Sequence, residues 1–215
     1  MRALLARREA ELGAGGAEPV GWKVGFNLPA VWPALGIDAP VAGYLTSATV
    51  VEPGATVAVG GWVQPTLEPE IAITVGAGGS VAALAPAIEL VDVDLPFEDV
   101  EAILARNIFH RAVAFGATSP LGPETAAPAG DDPLGDTFSC RVRQNGEEVR
   151  TADATEDPAE TVERVAGFLS EHGARLRPGD RIIAGTLTPP LPVGPGDGVE
   201  VDLGALGRVS LRLSA

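Results

Sequence analysis

Cysteine is almost absent: Cys140 is the only one in 215 residues. A lone thiol excludes an intramolecular disulfide framework and a thiolate metal cluster, and favours the cytosol over an oxidising compartment. Histidine is nearly as scarce, with only His110 and His172, so a histidine-built zinc site is excluded by count. No apolar run approaches the roughly 20 residues of a membrane span. The opening stretch MRALLARREAELGAGG is broken by charges and lacks the apolar core of a signal peptide. A soluble cytoplasmic protein is expected. The nucleophile elbow GxSxG, the P-loop and the dinucleotide fingerprint GxGxxG are all missing.

Positive charge is in deficit, 15 Lys and Arg against 29 Asp and Glu, for a net 15 − 29 = −14. That balance argues against a phosphate backbone or an anionic lipid surface as partner, so neither nucleic acid nor membrane is expected. The 15 basic residues are 14 Arg and a single Lys, Lys23, which stands inside the apolar stretch VGWKVGFN.

What the chain has in quantity is glycine (27) and proline (19), a composition that predicts many turns and short strands. Residues 1–12 carry Leu4, Leu5 and Leu12 at helical spacing, giving a short N-terminal helical segment (1–18) ahead of one β-roll domain (19–215). Strands are predicted over 20–27, 68–76, 81–94 and 107–116. Between 29 and 66, Pro and Gly recur too often for a long helix. In 68–76, Ile71, Ile73 and Val75 alternate with Glu68, Glu70, Ala72 and Thr74, whereas 81–94 is apolar on both faces and reads as a buried strand.

A helix is predicted over 97–106 after Pro96, with Val100, Ile103 and Leu104 inward, and Glu98, Asp99 and Glu101 suit its first turn. The polar, Pro-rich stretch 118–136 is expected to be a mobile loop. Asn145-Gly146 between alternating segments predicts a hairpin. Asp157, Pro158 and Glu160 signal a helix start, Gly173 its end, and Val162, Val165 and Leu169 its buried stripe. His172 falls at the C-terminus of that helix, where a cation meets the dipole favourably. Three strands joined by Gly/Pro turns complete an α+β, mostly β architecture with a few peripheral helices.

With thiolates and imidazoles too few, any metal ligands must be carboxylates, which points to a hard cation such as Mg²⁺ or Mn²⁺. Glu68 and Glu70, at i and i+2, project from one strand face, where they either face solvent or share a cation. Glu89 lies in the apolar run AIELV, and no Lys or Arg stands within a dozen residues of it. A buried carboxylate needs a partner, so Glu89 is protonated, paired with a distant Arg, or bound to a cation shared with Glu68 and Glu70. Asp92 falls on the other strand face and reads as a supporting or turn residue. Lys23 either holds a substrate carboxylate and delivers a proton, or snorkels to water.

The segments GWKVGFN, PTLEPEIAITV, AIELVD and GDRIIAGTLTPPLPVGPGDGVEVDLGALGRVSLRL, in this order, resemble the fumarylacetoacetate hydrolase superfamily from about residue 20 to the C-terminus. The nearest branch is that of the 2-keto-4-pentenoate hydratases and 4-oxalocrotonate decarboxylases. The resemblance implies a roll of mixed β-sheets, a homodimer or higher homo-oligomer, and a divalent cation on Glu68, Glu70 and Glu89. It implies Lys23 and Glu70 as catalytic residues, and substrate contacts from Lys23, Asn107, Thr186 and Thr188. The reaction implied is that of a metal-dependent lyase on a small 2-oxo or 2-hydroxydienoic acid: a 2-keto-4-pentenoate-type hydratase working through an enolate held at the metal. Decarboxylation or C–C hydrolysis, and a non-catalytic subunit of the same fold, are the alternatives.

The chain lacks the GNDVTARD-like segment of the hydrolase branch. The 18 residues between Glu70 and Glu89 are fewer than in the family, implying a shorter lid and a more open pocket. RNIFHR stands where the branch has D-N-A-S, bringing in His110, which either packs, the favoured reading, or acts as an acid/base.

Overall fold

The structure is a computed structural model that describes residues 1–120 and 137–215. Helix α1 (Arg2–Gly13) leads into β1 (Pro19–Gly25), a one-turn helix α2 (Trp32–Leu35), β2 (Val41–Thr46), β3 (Val50–Val51), β4 (Thr56–Ala58), β5 (Pro65–Val75) and β6 (Val81–Asp92). Helix α3 (Val100–Ala105), β7 (His110–Phe115) and β8 (Ser119–Pro120) follow. Beyond the undescribed stretch come β9 (Thr137–Gln144), β10 (Glu147–Thr155), α4 (Pro158–Glu171), β11 (Arg181–Ile183), β12 (Leu191–Pro192), β13 (Gly198–Asp202) and β14 (Arg208–Ser214). The predicted mobile loop lies outside the described residues from 121 onward.

A mixed nine-stranded sheet runs β2-β1-β11-β5-β6-β7-β3, with β12 and β8 pairing onto β5 and β6; a five-stranded sheet runs β10-β9-β13-β14-β4. This is the mostly β, mixed-sheet α+β fold expected. The spine is the long β5–β6 hairpin. Ile71, Ile73 and Val75 of β5, with Leu84, Ile88 and Leu90 of β6, join Trp22 and Val24 of β1 in the main core. The opposite face carries small residues, Ala72, Ala85 and Ala87, beside the acids of both strands.

Local signals explain the helices. In α4 the Asp157 carboxylate accepts from the N–H groups of Ala159 and Glu160 (2.9 and 3.0 Å), and Val162, Val165 and Leu169 face the core. Glu160 pairs with Arg164 one turn on (2.7 Å). His172 ends the helix, its ring bonded to the Phe168 carbonyl. Helix α3 begins later than predicted because Asp99, accepting from Ala102 N, is its N-cap. Helix α1 is tied down by fully buried Leu4 and by Glu11, which accepts from the hydroxyls of Tyr44 and Thr46 (2.6 and 3.2 Å). The C-terminal region holds four strands, the extra one being the two-residue β12.

The main departure from expectation is at 107–109. The predicted strand begins only at His110, because Asn107, Ile108 and Phe109 are all left-handed, with φ of 60, 52 and 63°. Three consecutive non-glycine residues there, one of them β-branched, are costly, and such strain persists where surrounding structure enforces it. Here Ile108 N bonds to Ile103 O, and Asp92 N to Phe109 O. The turn thereby lies against the same β6 end that carries Glu89.

Candidate active site

Three carboxylates converge across the β5–β6 ladder. Glu68 and Glu70 share a strand face, and Glu68 stands directly opposite Glu89 in the antiparallel register. One oxygen from each of the three lies within 4.8 Å of the others. Glu70 and Glu89 are fully buried and Glu68 is partly open to a pocket. Glu70 Oε2 accepts from Gly185 N (2.7 Å), yet its Oε1 and Glu89 Oε2 have no hydrogen-bond partner. Two orphaned carboxyl oxygens in the interior are an expensive arrangement that a divalent cation would satisfy, and an all-oxygen donor set suits Mg²⁺ or Mn²⁺. The residues present therefore fit such an ion.

Glu89 does have partners, though not the distant arginine considered from sequence. Lys23 Nζ, on β1, forms a buried ion pair with Glu89 Oε1 and also donates to the Ile108 carbonyl (3.2 Å). Lys23 is 2% exposed, so it does not snorkel to water. Room for its stem comes from Gly43 on the facing strand, where a Cβ would sit 2.7 Å from Lys23 Cγ and 2.6 Å from Asn107 Oδ1.

His110 is the residue that sequence reading undervalued. Its Nδ1 lies 2.7 Å from Glu89 Oε1 and its Nε2 2.9 Å from Thr49 Oγ1, a polar role in place of the packing expected. Burial lowers its pKa, against the pull of Glu89, so the ring is neutral. A neutral ring facing a carboxylate donates from Nδ1, and Nε2 then accepts from the Thr49 hydroxyl.

The charges polarise one another. For Glu89, burial is outweighed by the Lys23 ammonium and by His110, and its pKa falls to about 2. Burial, then the Glu89 charge, raises Glu68 to about 7, and the same causes with Glu68 added raise Glu70 well above the ordinary range. Burial would lower Lys23, but the charges of Glu89, Glu68 and Glu70 prevail and raise it.

A pH dependence follows. A carboxyl with a raised folded pKa favours the fold while protonated, and that contribution is lost as pH climbs through the folded value. Metal-free protein should therefore lose stability from the ordinary value of 4.5 up to about 7. Ligation requires the ionised carboxylates, so metal affinity should rise across that same window. Thermal melts from about pH 5 to about pH 8, with and without Mn²⁺, should show curves that diverge as pH rises; parallel curves would contradict the assignment.

Beside the acids lies a pocket of about 350 Å³, with Lys23, Glu68 and Thr186 among its lining residues. Thr186 Oγ1 donates to the Thr188 carbonyl (2.7 Å). Asn107 and Thr188, both expected at the substrate, do not line it. The Asn107 amide is engaged by the main chain of Tyr44, accepting from its N and donating to its O, both at 2.9 Å. The Thr188 hydroxyl bonds to Pro189 O (3.2 Å). Asp92 accepts from Val63 N and Gln64 N (2.9 and 2.8 Å), the turn-holding role expected. Residues 71–88 form the two arms of the hairpin, and none lines the pocket, so their shortness opens no lid there.

The profile of the fumarylacetoacetate (FAA) hydrolase C-terminal family matches residues 27–214. The chain belongs to this family. Within it, the fumarylacetoacetate hydrolase-type chain is 30% identical over 209 residues to a 4-oxalocrotonate decarboxylase of a Pseudomonas species, covering 91% of this chain and 78% of that one. It is 27% identical over 213 residues to 2-keto-4-pentenoate hydratase 1 of Dechloromonas aromatica (strain RCB), covering 92% and 78%. Among solved structures, 4-oxalocrotonate decarboxylase from Pseudomonas putida G7, complexed with magnesium and adipate, superposes with a TM-score of 0.80 at 25% identity, covering 97% of this chain and 82% of that one. These relatives are enzymes with different reactions on small organic acids.

Proposed function

We propose that this protein is a divalent-metal-dependent lyase acting on a small 2-oxo or 2-hydroxydienoic acid, with hydration of the 2-keto-4-pentenoate type as its reaction. The observation that carries this reading is the trio Glu68, Glu70 and Glu89, with unpartnered buried oxygens on Glu70 and Glu89, behind a pocket whose lining includes Glu68 and Lys23. Glu68, Glu70 and Glu89 would hold Mg²⁺ or Mn²⁺, which supplies Lewis-acid stabilisation for negative charge developing on a 2-oxo group.

The chain's own residues do the rest. Lys23 Nζ has three N–H donors; Glu89 and the Ile108 carbonyl engage two, leaving one for a substrate carboxylate or for proton delivery. His110 and Lys23 both hold the same oxygen of Glu89, Oε1, and so fix the carboxyl while leaving Oε2 without a partner. Gly185 N fixes Glu70; the left-handed φ of +102° at Gly185 and the Asn27 side chain, 2.4 Å from any Cβ placed there, leave only glycine for that position. Most of the pocket wall beside these charges is apolar, which weakens their screening.

Decarboxylation is the second reading, favoured by the 4-oxalocrotonate decarboxylases among the relatives. Assays of 2-hydroxypenta-2,4-dienoate and of 4-oxalocrotonate distinguish the two. The expected result is loss of dienoate absorbance with formation of a 4-hydroxy-2-oxo acid, abolished by EDTA and restored by Mg²⁺. Carbon dioxide release from 4-oxalocrotonate without hydration would establish the second reading. Metal-loaded protein that turns over neither of these acids, nor a 2-hydroxydienoate carrying a larger apolar group at its far end, would contradict both.

A further inference from the structure

On the reading just given, we infer that the substrate is a 2-oxo acid whose far end is bulky, apolar and uncharged, of the size of a branched alkyl group or a phenyl ring, and that the site rejects dicarboxylic acids. The charged residues that line the pocket, Lys23 and Glu68, sit at its metal-binding end. The remaining walls are dominated by apolar side chains, with Phe97, Phe109, Val93, Leu28 and Val31 among them.

Among the described residues no arginine lines the pocket. The two nearest in sequence to its walls, Arg106 and Arg111, are engaged by Asp94, and Arg111 also by Asp92. Residues 121–136 contain no Lys or Arg, so that stretch has no cation to offer either. A second carboxylate at the far end would be taken from water into apolar surroundings without a counter-charge, which is strongly unfavourable.

Size and surface chemistry point the same way. A five-carbon acid would leave much of about 350 Å³ empty. Four large hydrophobic residues are exposed among the described residues, and three of them, Leu28, Val31 and Phe97, belong to this one pocket. Exposed apolar side chains clustered at one concavity mark a binding surface. Phe97 and Phe109 meet edge to face, with centroids 5.8 Å apart at 66°, presenting an aromatic wall against which a ring or branched chain packs.

The test is calorimetric titration of Mn²⁺-loaded protein with three acids that share the 2-oxo acid head: pyruvate, 2-oxoglutarate and 4-phenyl-2-oxobutanoate. The phenyl acid should bind at least about tenfold tighter than pyruvate, and 2-oxoglutarate no tighter than pyruvate. Phe97→Arg, at a half-exposed position that tolerates a long side chain, should reverse the order by strengthening 2-oxoglutarate about tenfold and weakening the phenyl acid. Tighter binding of 2-oxoglutarate than of the phenyl acid by the unmodified protein, or equal binding of all three, would overturn the inference while leaving the 2-oxo acid reading intact. Binding of none of the three would overturn that reading, and the inference with it.

Discussion

Lys23→Met is expected to lower the melting temperature of the metal-free protein by on the order of 10 °C. The substitution keeps a linear apolar stem of similar length but removes the ammonium that neutralises Glu89, leaving that carboxylate fully buried with only the neutral His110 beside it. Breaking one side of a buried ion pair costs about 3–5 kcal/mol. In a chain of this size each kcal/mol corresponds to about 2–4 °C. Without Nζ, burial favours the protonated form of Glu89, so the deficit should shrink as pH falls. Mn²⁺ should raise the melting temperature of the variant by more than it raises that of the parent, because a bound cation replaces the missing charge and no ammonium repels it. A variant as stable as the parent in the absence of metal would show that the ion pair does not support the fold.

Much of this site was legible in the sequence because its signals are local. The E-x-E of 68–70 requires only the period-2 geometry of a strand to place both carboxylates on one face. Glu89 declared itself by standing in an apolar run with no nearby cation. The Asn145-Gly146 hairpin and the Asp157 cap are likewise decided within a few residues, and both appear where expected. Thr186, for which the resemblance implies a substrate contact, lies among the lining residues of the pocket.

The features that escaped depend on register or on tertiary enforcement. That Glu68 faces Glu89 follows from the pairing of β5 with β6, and that Lys23 reaches Glu89 follows from sheet order across 66 positions of sequence. Asn107, Ile108 and Phe109 have the composition of a strand, yet the chain is held left-handed there. The result is that Asn107 clamps the Tyr44 main chain, Ile108 O meets Lys23, and Phe109 becomes a pocket wall. Local propensity opposes that conformation, so no local pattern could announce it. His110 was ambiguous for the same reason: its role is set by the residue it faces, not by its neighbours in sequence.

The metal assignment makes its sharpest demand on Glu70. Glu70→Gln should abolish binding of divalent metal while leaving the fold intact. The amide oxygen can still accept from Gly185 N, and the substitution mimics the protonated carboxyl that burial and the Glu89 charge already favour in the metal-free protein. Where the pH is high enough to ionise Glu70, the substitution also removes a like charge from the cluster, so the melting temperature should hold or rise. Loss of even an outer hydrogen-bond partner weakens metal sites about 10–100-fold, so loss of a carboxylate ligand should exceed about a hundredfold. The most direct measurement is calorimetric titration of Mn²⁺ into chelator-stripped parent and Glu70→Gln protein. One site per chain in the parent and none in the variant is the expected result. Absence of a site in the parent, or undiminished binding in a folded variant, would contradict the assignment of Glu68, Glu70 and Glu89 as a metal centre.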